Sequence, residues 1–471
     1  MKKLVIAKFG GGAIGVDAES IPVIVKRINE LKKDAKVIAV FSAPLTLQDG
    51  KKKSLTDILL ELGKKAEAGE NVKIDLVKET YQKVLRFVNE KYQNECKNVV
   101  DSFLDKSIEA LRQASEKKEF ADVVRSKVLA YAGEILMSHL MNYVLKSEET
   151  KTDAVGFDIW PIITDKNLES ANFLSSESFQ GIGPMEELLE KNDVLLMGGF
   201  IGKTTDGLET TYERGGSDRT AADLGILFNK KYETRIDFEK DSFVASADPK
   251  IVSERLDDVK TLSYNEARLA GMFGMRILDP IAIKEILENG IDIPIIVTDM
   301  KNPQKTTIIE RKSQSNNGHP LKIVTGKKNC AILRIESSVA PQLFNSLAND
   351  KRYSEFVVLS PFIKDDTEFT RILFLDGDYV RRNERYILGF DSLASITYNR
   401  GVITLIGDEM WRVQRIASTA SSRIGEAGLN ILNMDAQEET SRIIIVIEDA
   451  GDNIERAIRA VHAERSKIKF V

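Results

Sequence analysis

Two clusters in this chain pair a cation with glycines at a spacing suited to chemistry on anions. The first is "AKFGGGAIGV", where Lys8 precedes Gly10, Gly11 and Gly12. Glycines let backbone come close to a ligand, and N–H groups at a helix N-terminus attract negative charge. The second is "GGFIGKTTDGLETTYERGGSDRTAADLG", where Arg214 precedes Gly215, Gly216, Ser217 and Asp218 and a helix is expected from Ala221 to Phe228. Ser217 or Asp218 is a natural N-cap for that helix. The planar guanidinium of Arg214 suits bidentate contact with a carboxylate or phosphate. One cradle with Lys8 and one with Arg214 suit a donor phosphate and an anionic acceptor.

The glycines alone leave other readings open. Gly10, Gly12 and Gly15 formally match the dinucleotide fingerprint G-x-G-x-x-G. That site needs an acidic residue at the end of the second strand, but the strand here ends VIAVFSAP with Ser42. A phosphate loop of the nucleoside-triphosphatase kind carries its lysine after the glycines, whereas Lys8 comes before them. A tight turn with no ligand also remains open.

The elements that must position these residues follow from periodicity. LVIAKF reads as a strand, Ile21, Ile24, Val25, Ile28 and Leu31 fall at helical spacing, and VIAVFSA reads as a second strand. This alternation, α/β with a mostly parallel sheet, continues to about residue 310. Residues 54–146 interrupt it with a block of almost pure helical pattern. Strands return at DAVGF, DVLLMGGF, YETRIDF and IPIIVTD. "RKSQSNNGHPLKI", 311–323, reads as a linker. After it comes GVITLI, a helix from Trp411 to about Ala427, NILNMDA, RIIIVIE, a helix from Asp452 to His462, and KIKFV. That is the β-α-β-β-α-β order of a ferredoxin-like module. CAILRI, a helix over Val339–Ala348, EFVVLS, TRILFL, a helical stretch near Tyr379 and SLASITY form a weaker copy before it.

The 471 residues are 42% hydrophobic and 30% charged, with a net charge of −5 spread along the chain. No basic stripe marks a nucleic-acid or membrane surface, and small-molecule chemistry is the expectation. The first apolar run stops at Lys8, too short for a signal peptide. No run approaches the roughly 18 residues that cross a bilayer. Cys96 and Cys330 have no metal or disulfide spacing, which fits a reducing cytoplasm. His139, His319 and His462 lie away from both glycine clusters and read as structural.

Taken in order, several stretches resemble aspartate kinase. They are KFGG at Lys8 to Gly11, SA at Ser42 and Ala43, TDILL at Thr56 to Leu60, and GE at Gly133 and Glu134. GFIGKTTDG with TTYERGGSD, ADP at Ala247 to Pro249, and LSYNEA at Leu262 to Ala267 follow. That family belongs to the amino-acid kinase superfamily and carries tandem ACT modules. The resemblance implies a three-layer α/β amino-acid-kinase fold with a central, mostly parallel sheet, followed by two ferredoxin-like ACT modules. The expected domains are 1–312 (catalytic), 323–400 and 401–471 (ACT-like). The chain ends inside the expected last strand, so no fused dehydrogenase is expected.

The resemblance also implies roles. Lys8 neutralises the transferring phosphoryl group, the backbone of Gly10 and Gly11 bonds its oxygens, and Asp218 orients Lys8 and the metal-bound phosphates. Ser42, Thr56, Glu134, Phe200, Thr211, Arg214 and Ser217 line an aspartate pocket. Arg214 clamps a carboxylate and Glu134 faces the substrate ammonium. Asp237, Lys250 and Arg276 belong to the nucleotide-binding part. The cofactors implied are ATP and Mg²⁺, the metal held through the nucleotide phosphates and by no protein cluster. The reaction implied is phosphorylation of L-aspartate to 4-phospho-L-aspartate, the entry to lysine, threonine and methionine biosynthesis. A carboxylate is already an anion at neutral pH and needs no general base, so the lack of a motif histidine is expected. A homodimer or larger homo-oligomer is expected, and an amino-acid effector at the modules is left open.

Departures from the pattern keep two alternatives in play: a degenerate kinase that senses amino acids, and a relative acting on another carboxylate. KFGGGAI stands where the family has KFGGTSV, so Gly12 and Ala13 lack two hydroxyls. "RIDFEKDSFVASADPK" is longer than the usual nucleotide segment, and "FGMRILDP" puts Arg276 where a lysine is usual.

Overall fold

Leu4 to Phe9 of the first strand, Lys2–Phe9, are all buried, the signature of a parallel strand covered by helices on both faces. This computed structural model describes residues 1–16, 18–213, 215–275, 277–312, 320–349, 355–438 and 440–467. The chain divides into two compact units, Met1–Phe243 with Ile281–Ile308, and Val244–Pro280 with Ile309–Val471. Residues 244–280, expected within the first domain, therefore cluster with the C-terminal half.

In the first unit, strand Lys2–Phe9 lies between Lys36–Phe41 and Tyr232–Lys240. Val194–Gly198 and then Thr152–Ala154 extend the sheet on one side, and Ile295–Asp299 on the other. Every one of these pairs is parallel, as the alternating pattern predicts. Helices cover both faces. Asp237 and Glu239 of the strand Tyr232–Lys240 face helix Ile21–Leu31, where Arg27 reaches both. Ile236, on the opposite face, lies so close to Gly225 of helix Gly216–Phe228 that a Cβ there would come within 2.9 Å of it. The block expected as helical forms helices Leu55–Glu67, Asp75–Leu85, Glu90–Lys117, Asp122–Leu129 and Ile135–Ser147.

In the second unit the two ferredoxin-like modules share a sheet. One antiparallel sheet runs in the order Phe356–Lys364, Thr367–Phe374, Ile323–Glu336, Ser395–Ile406, Arg442–Glu448, Asn433–Ala436. SLASITY and GVITLI are halves of a single strand, so the expected boundary at 400/401 falls inside it. Ile323–Lys327, expected in the first module, pairs with Val402–Ile406 of the second. Val324 joins the second core with Ile403, Ile445 and Ile458, whereas Leu333, Leu343 and Phe374 build the first. Each long strand thus serves both modules and closes an edge that would otherwise be exposed. The helix expected from Trp411 begins only at Ile416, because Arg415 adopts a left-handed backbone at φ 64°. Residues 313–319 of the linker and the end of KIKFV lie outside the described residues. Among the described residues, no helix is long and apolar enough to cross a membrane.

Candidate active site

The strand ends of the first unit bring the donor-side residues together. Lys8 Nζ lies 2.7 Å from Asp218 Oδ1, with both side chains about nine-tenths buried. After Phe9 the chain makes a single helical turn, Gly11–Ile14, closed by Ile14 N–H to Gly10 O and by Gly15 N–H to Gly11 O. A Cβ at Gly10 would sit 3.1 Å from Lys8 Nζ, and one at Gly11 would sit 3.0 Å from Ala43 O. A side chain at Gly10 would fill the space beside the lysine, and one at Gly11 would press on the Ala43 carbonyl and Leu45. Asp218 rides on helix Gly216–Phe228, which starts earlier than Ala221. Its N-cap is Gly215 in the left-handed region, φ 97°, and neither Ser217 nor Asp218 caps it. Both side chains are thereby released for the site, as first-turn residues of a positive helix end.

Of the residues expected on the acceptor side, Ser42 and Ser217 adjoin Asp218. Ser42 follows strand Lys36–Phe41, and its Oγ donates to Ser217 Oγ at 3.0 Å. A Cβ at Gly199 would strike Ser217 Cβ at 2.6 Å, and one at Gly216 would strike Tyr212 Cβ at 2.5 Å, so these glycines permit the close approach. Phe200 holds a left-handed backbone at φ 69°, strained for an aromatic residue. Its N–H donates to Thr220 Oγ1 at 3.0 Å. Thr211 is fully buried and accepts from Arg125 Nη1 at 3.2 Å.

Glu134 ends a π-helical turn, Ala130–Glu134, in which Gly133 leaves helical geometry. Such turns re-aim a side chain. The Tyr81 hydroxyl lies 2.9 Å from the carbonyl oxygens of both Ala132 and Gly133 and pins the turn. Thr56 Oγ1 donates to Glu134 Oε1 at 3.3 Å. Buried Oε2 has no hydrogen-bond partner among the described residues. Burial pushes the Glu134 carboxyl up to about 7, against backbone N–H donors that include Ala43 and against Thr56.

The remaining expected residues are placed otherwise. Asp237 is fully buried on the opposite face of its strand, paired with Arg235 at 3.1 Å and Arg27 at 3.6 Å. Lys250 belongs to the second unit, where its backbone N–H donates to Asp248 Oδ1 at 2.8 Å. Arg214 and Arg276 lie outside the described residues. Sequence reasoning missed Arg125, which looks like any helix-surface arginine.

The donor set fits a polyphosphate: a buried ammonium, an adjoining glycine turn and the positive end of a helix. Among the described residues no group of three or more His, Cys, Asp or Glu side chains could hold a metal ion.

The model of the amino acid kinase family matches residues 3–299. An aspartokinase of Rickettsia felis is 26% identical over 350 residues, covering 73% of this chain and 84% of that protein. Bifunctional aspartokinase/homoserine dehydrogenase 2 of Arabidopsis thaliana is 24% identical over 503 residues, covering 97% of this chain. This chain spans 50% of that longer protein. Among solved structures, E. coli aspartokinase III in complex with aspartate and ADP superposes with a TM-score of 0.76 at 16% identity. That match covers 98% of this chain and 99% of the other. Clostridium acetobutylicum aspartate kinase gives 0.67 at 18% identity, with the same coverage. At these identities the likeness is one of fold.

Proposed function

The chain belongs to the amino acid kinase family, and from that premise we propose that it transfers the γ-phosphoryl group of ATP to the side-chain carboxylate of L-aspartate, giving 4-phospho-L-aspartate. The observation that carries the choice of acceptor is Glu134. A buried carboxyl with one oxygen unpartnered and a raised pKa needs a cation. The α-ammonium of a free amino acid supplies one, and a nucleotide or an N-acylated amino acid does not.

In this reading Lys8 neutralises charge on the transferring group, and Asp218 fixes the lysine. The N–H groups of Gly10 and Gly11 bond phosphate oxygens. Ser42, Thr56, Phe200, Thr211, Ser217 and Arg214 shape the acceptor pocket, with Arg214 on a carboxylate. Mg²⁺, bound through the nucleotide phosphates, supplies further charge neutralisation. Positioning and electrostatics suffice, because the acceptor is already an anion.

We read 1–312 as the catalytic domain and 323–400 and 401–471 as the two modules, with Ile323–Lys327 lent to the second. The modules are proposed to mediate homo-oligomer formation. A cavity of about 390 Å³ lined by Trp411, Arg415, Ser418 and Arg442 is the proposed effector site. Cys96 and Cys330 are buried free thiols, in keeping with a cytoplasmic enzyme. Trapping acyl phosphate with hydroxylamine across aspartate, glutamate and N-acetylglutamate, with ATP and with GTP, tests the reading. Product is expected with aspartate and ATP. No product with any pair favours an amino-acid sensor.

A further inference from the structure

Strand register places a second lysine beside the first. Lys8 pairs with Phe238 and Phe9 with Glu239 in the parallel ladder between strands Lys2–Phe9 and Tyr232–Lys240. One position further Lys240 comes level with Gly10, which has no side chain to fill the space between them. Side chains alternate across a sheet. Asp237 and Glu239 point to Arg27 on one face, so Lys240 points to the other, the face from which Lys8 meets Asp218. The next residue, Asp241, turns its carboxylate toward the glycine turn, where a Cβ on Gly12 would lie 3.6 Å from its Oδ2. The Lys240 backbone is held in place, its carbonyl accepting from Met300 N–H at 2.9 Å. Its ammonium has no hydrogen-bond or ion-pair partner among the described residues.

We propose that Lys240 is a second phosphate-binding cation of this site, opposite Lys8 across the glycine turn, and that it holds the polyphosphate of the donor nucleotide. The proposal rests on the phosphotransfer reading above. The charges around Lys240 support it. Burial lowers its pKa against the pull of Asp218, the nearby Lys8 lowers it further and Asp241 opposes them. Lys8 is already paired with Asp218 at 2.7 Å, whereas the Lys240 ammonium has no such direct pair and is left to meet an anion that enters over the glycine turn. The longer segment RIDFEKDS then has a purpose, since it brings a lysine to a rim whose other cation comes from the first strand.

The test is equilibrium binding of ATP, ADP and adenosine to the full chain and to Lys240→Met and Lys240→Arg. A charge-assisted contact is worth about 10-fold to 100-fold in affinity. Lys240→Met is expected to weaken ATP and ADP by that factor and leave adenosine unchanged, and Lys240→Arg is expected to keep most of the affinity. ATP binding to Lys240→Met at wild-type strength overturns the proposal, as does an equal loss for adenosine. A second measurement needs no variant: saturating ATP should slow amine-directed labelling of Lys240 in the wild type, read by peptide mass spectrometry, and adenosine should not. Unprotected Lys240 also overturns it. A wild type that binds no nucleotide defeats both this proposal and the phosphotransfer reading. One that binds ATP without phosphorylating aspartate defeats only the acceptor assignment.

Discussion

Lys8 Nζ and Asp218 Oδ1 stand 2.7 Å apart at the meeting of the first strand and the helix Gly216–Phe228. The pair is buried enough for the carboxylate to fix the ammonium, and Nζ faces Gly10, where a Cβ would lie 3.1 Å away. Lys8→Met and Asp218→Asn should each lower kcat by about 100-fold to 1000-fold, the usual cost of removing a preorganised charge from a transition state. Circular dichroism should stay unchanged. Wild-type turnover in Lys8→Met would end the case for this site.

Glu134 gives a pH signature. With its carboxyl up at about 7 in the free protein, and the ionised form needed to meet an ammonium, kcat/KM for aspartate should fall about tenfold per pH unit below that value. KM for ATP should hold steady. Glu134→Gln should raise KM for aspartate and flatten this limb of the profile.

The same group affects stability in the opposite sense. Its folded pKa lies above the ordinary carboxyl value, so the native state holds the proton more tightly. Its stabilising contribution is complete at low pH and is lost as pH rises through about 7. Ligand-free Glu134→Gln should therefore exceed the wild type by about 1–3 kcal/mol at pH 8 and by little at pH 5, as urea unfolding would measure.

Behind the site, Arg219 Nη2 bonds Glu285 Oε1 at 2.6 Å and stacks over the Tyr212 ring, while Tyr212 donates to Asp223 Oδ2 at 2.5 Å. Burial, reinforced by Glu285, raises the Asp223 carboxyl well above its usual range. Asp223→Asn removes a buried acid beside Glu285 and keeps an oxygen to accept from Tyr212, so it should cost less than the loss of Arg219. Arg219→Met strands the buried Glu285 and should cost about 3–5 kcal/mol in denaturant melts.

The glycines divide into two kinds. Gly12→Thr, which restores the usual family residue, adds a Cβ at ordinary contact distance from Asp241, 3.6 Å. It should fold and keep its stability within about 0.5 kcal/mol. Gly216→Ala drives a Cβ to 2.5 Å from Tyr212 and should lose more than about 2 kcal/mol, with loss of activity. Thermal melts of both variants decide the point.

Periodicity and turn chemistry carried much of the fold in the sequence. The parallel strands, the helical block over 54–146 and the ferredoxin-like order are local patterns of burial, which side-chain spacing records directly. Lys8, Ser42, Glu134 and Ser217 were legible as candidates because their motifs keep a fixed order along the chain. The cap was misjudged at Ser217 and Asp218, because cap propensity is local whereas the pull of Ser42 and Lys8 on those side chains is not.

What the sequence by itself determined is the alternation of elements and the chemical types gathered at their ends. Tertiary structure decided the rest. Which face Asp237 and Lys240 take follows from register between strands distant in sequence, and a one-residue slip would exchange them. The aim of Glu134 depends on a π turn pinned by Tyr81 from another helix. The joining of two modules through Ile323–Glu336 and Ser395–Ile406 rests on long-range strand pairing. Each of these arises from contacts between segments far apart in the chain, and no local propensity encodes them.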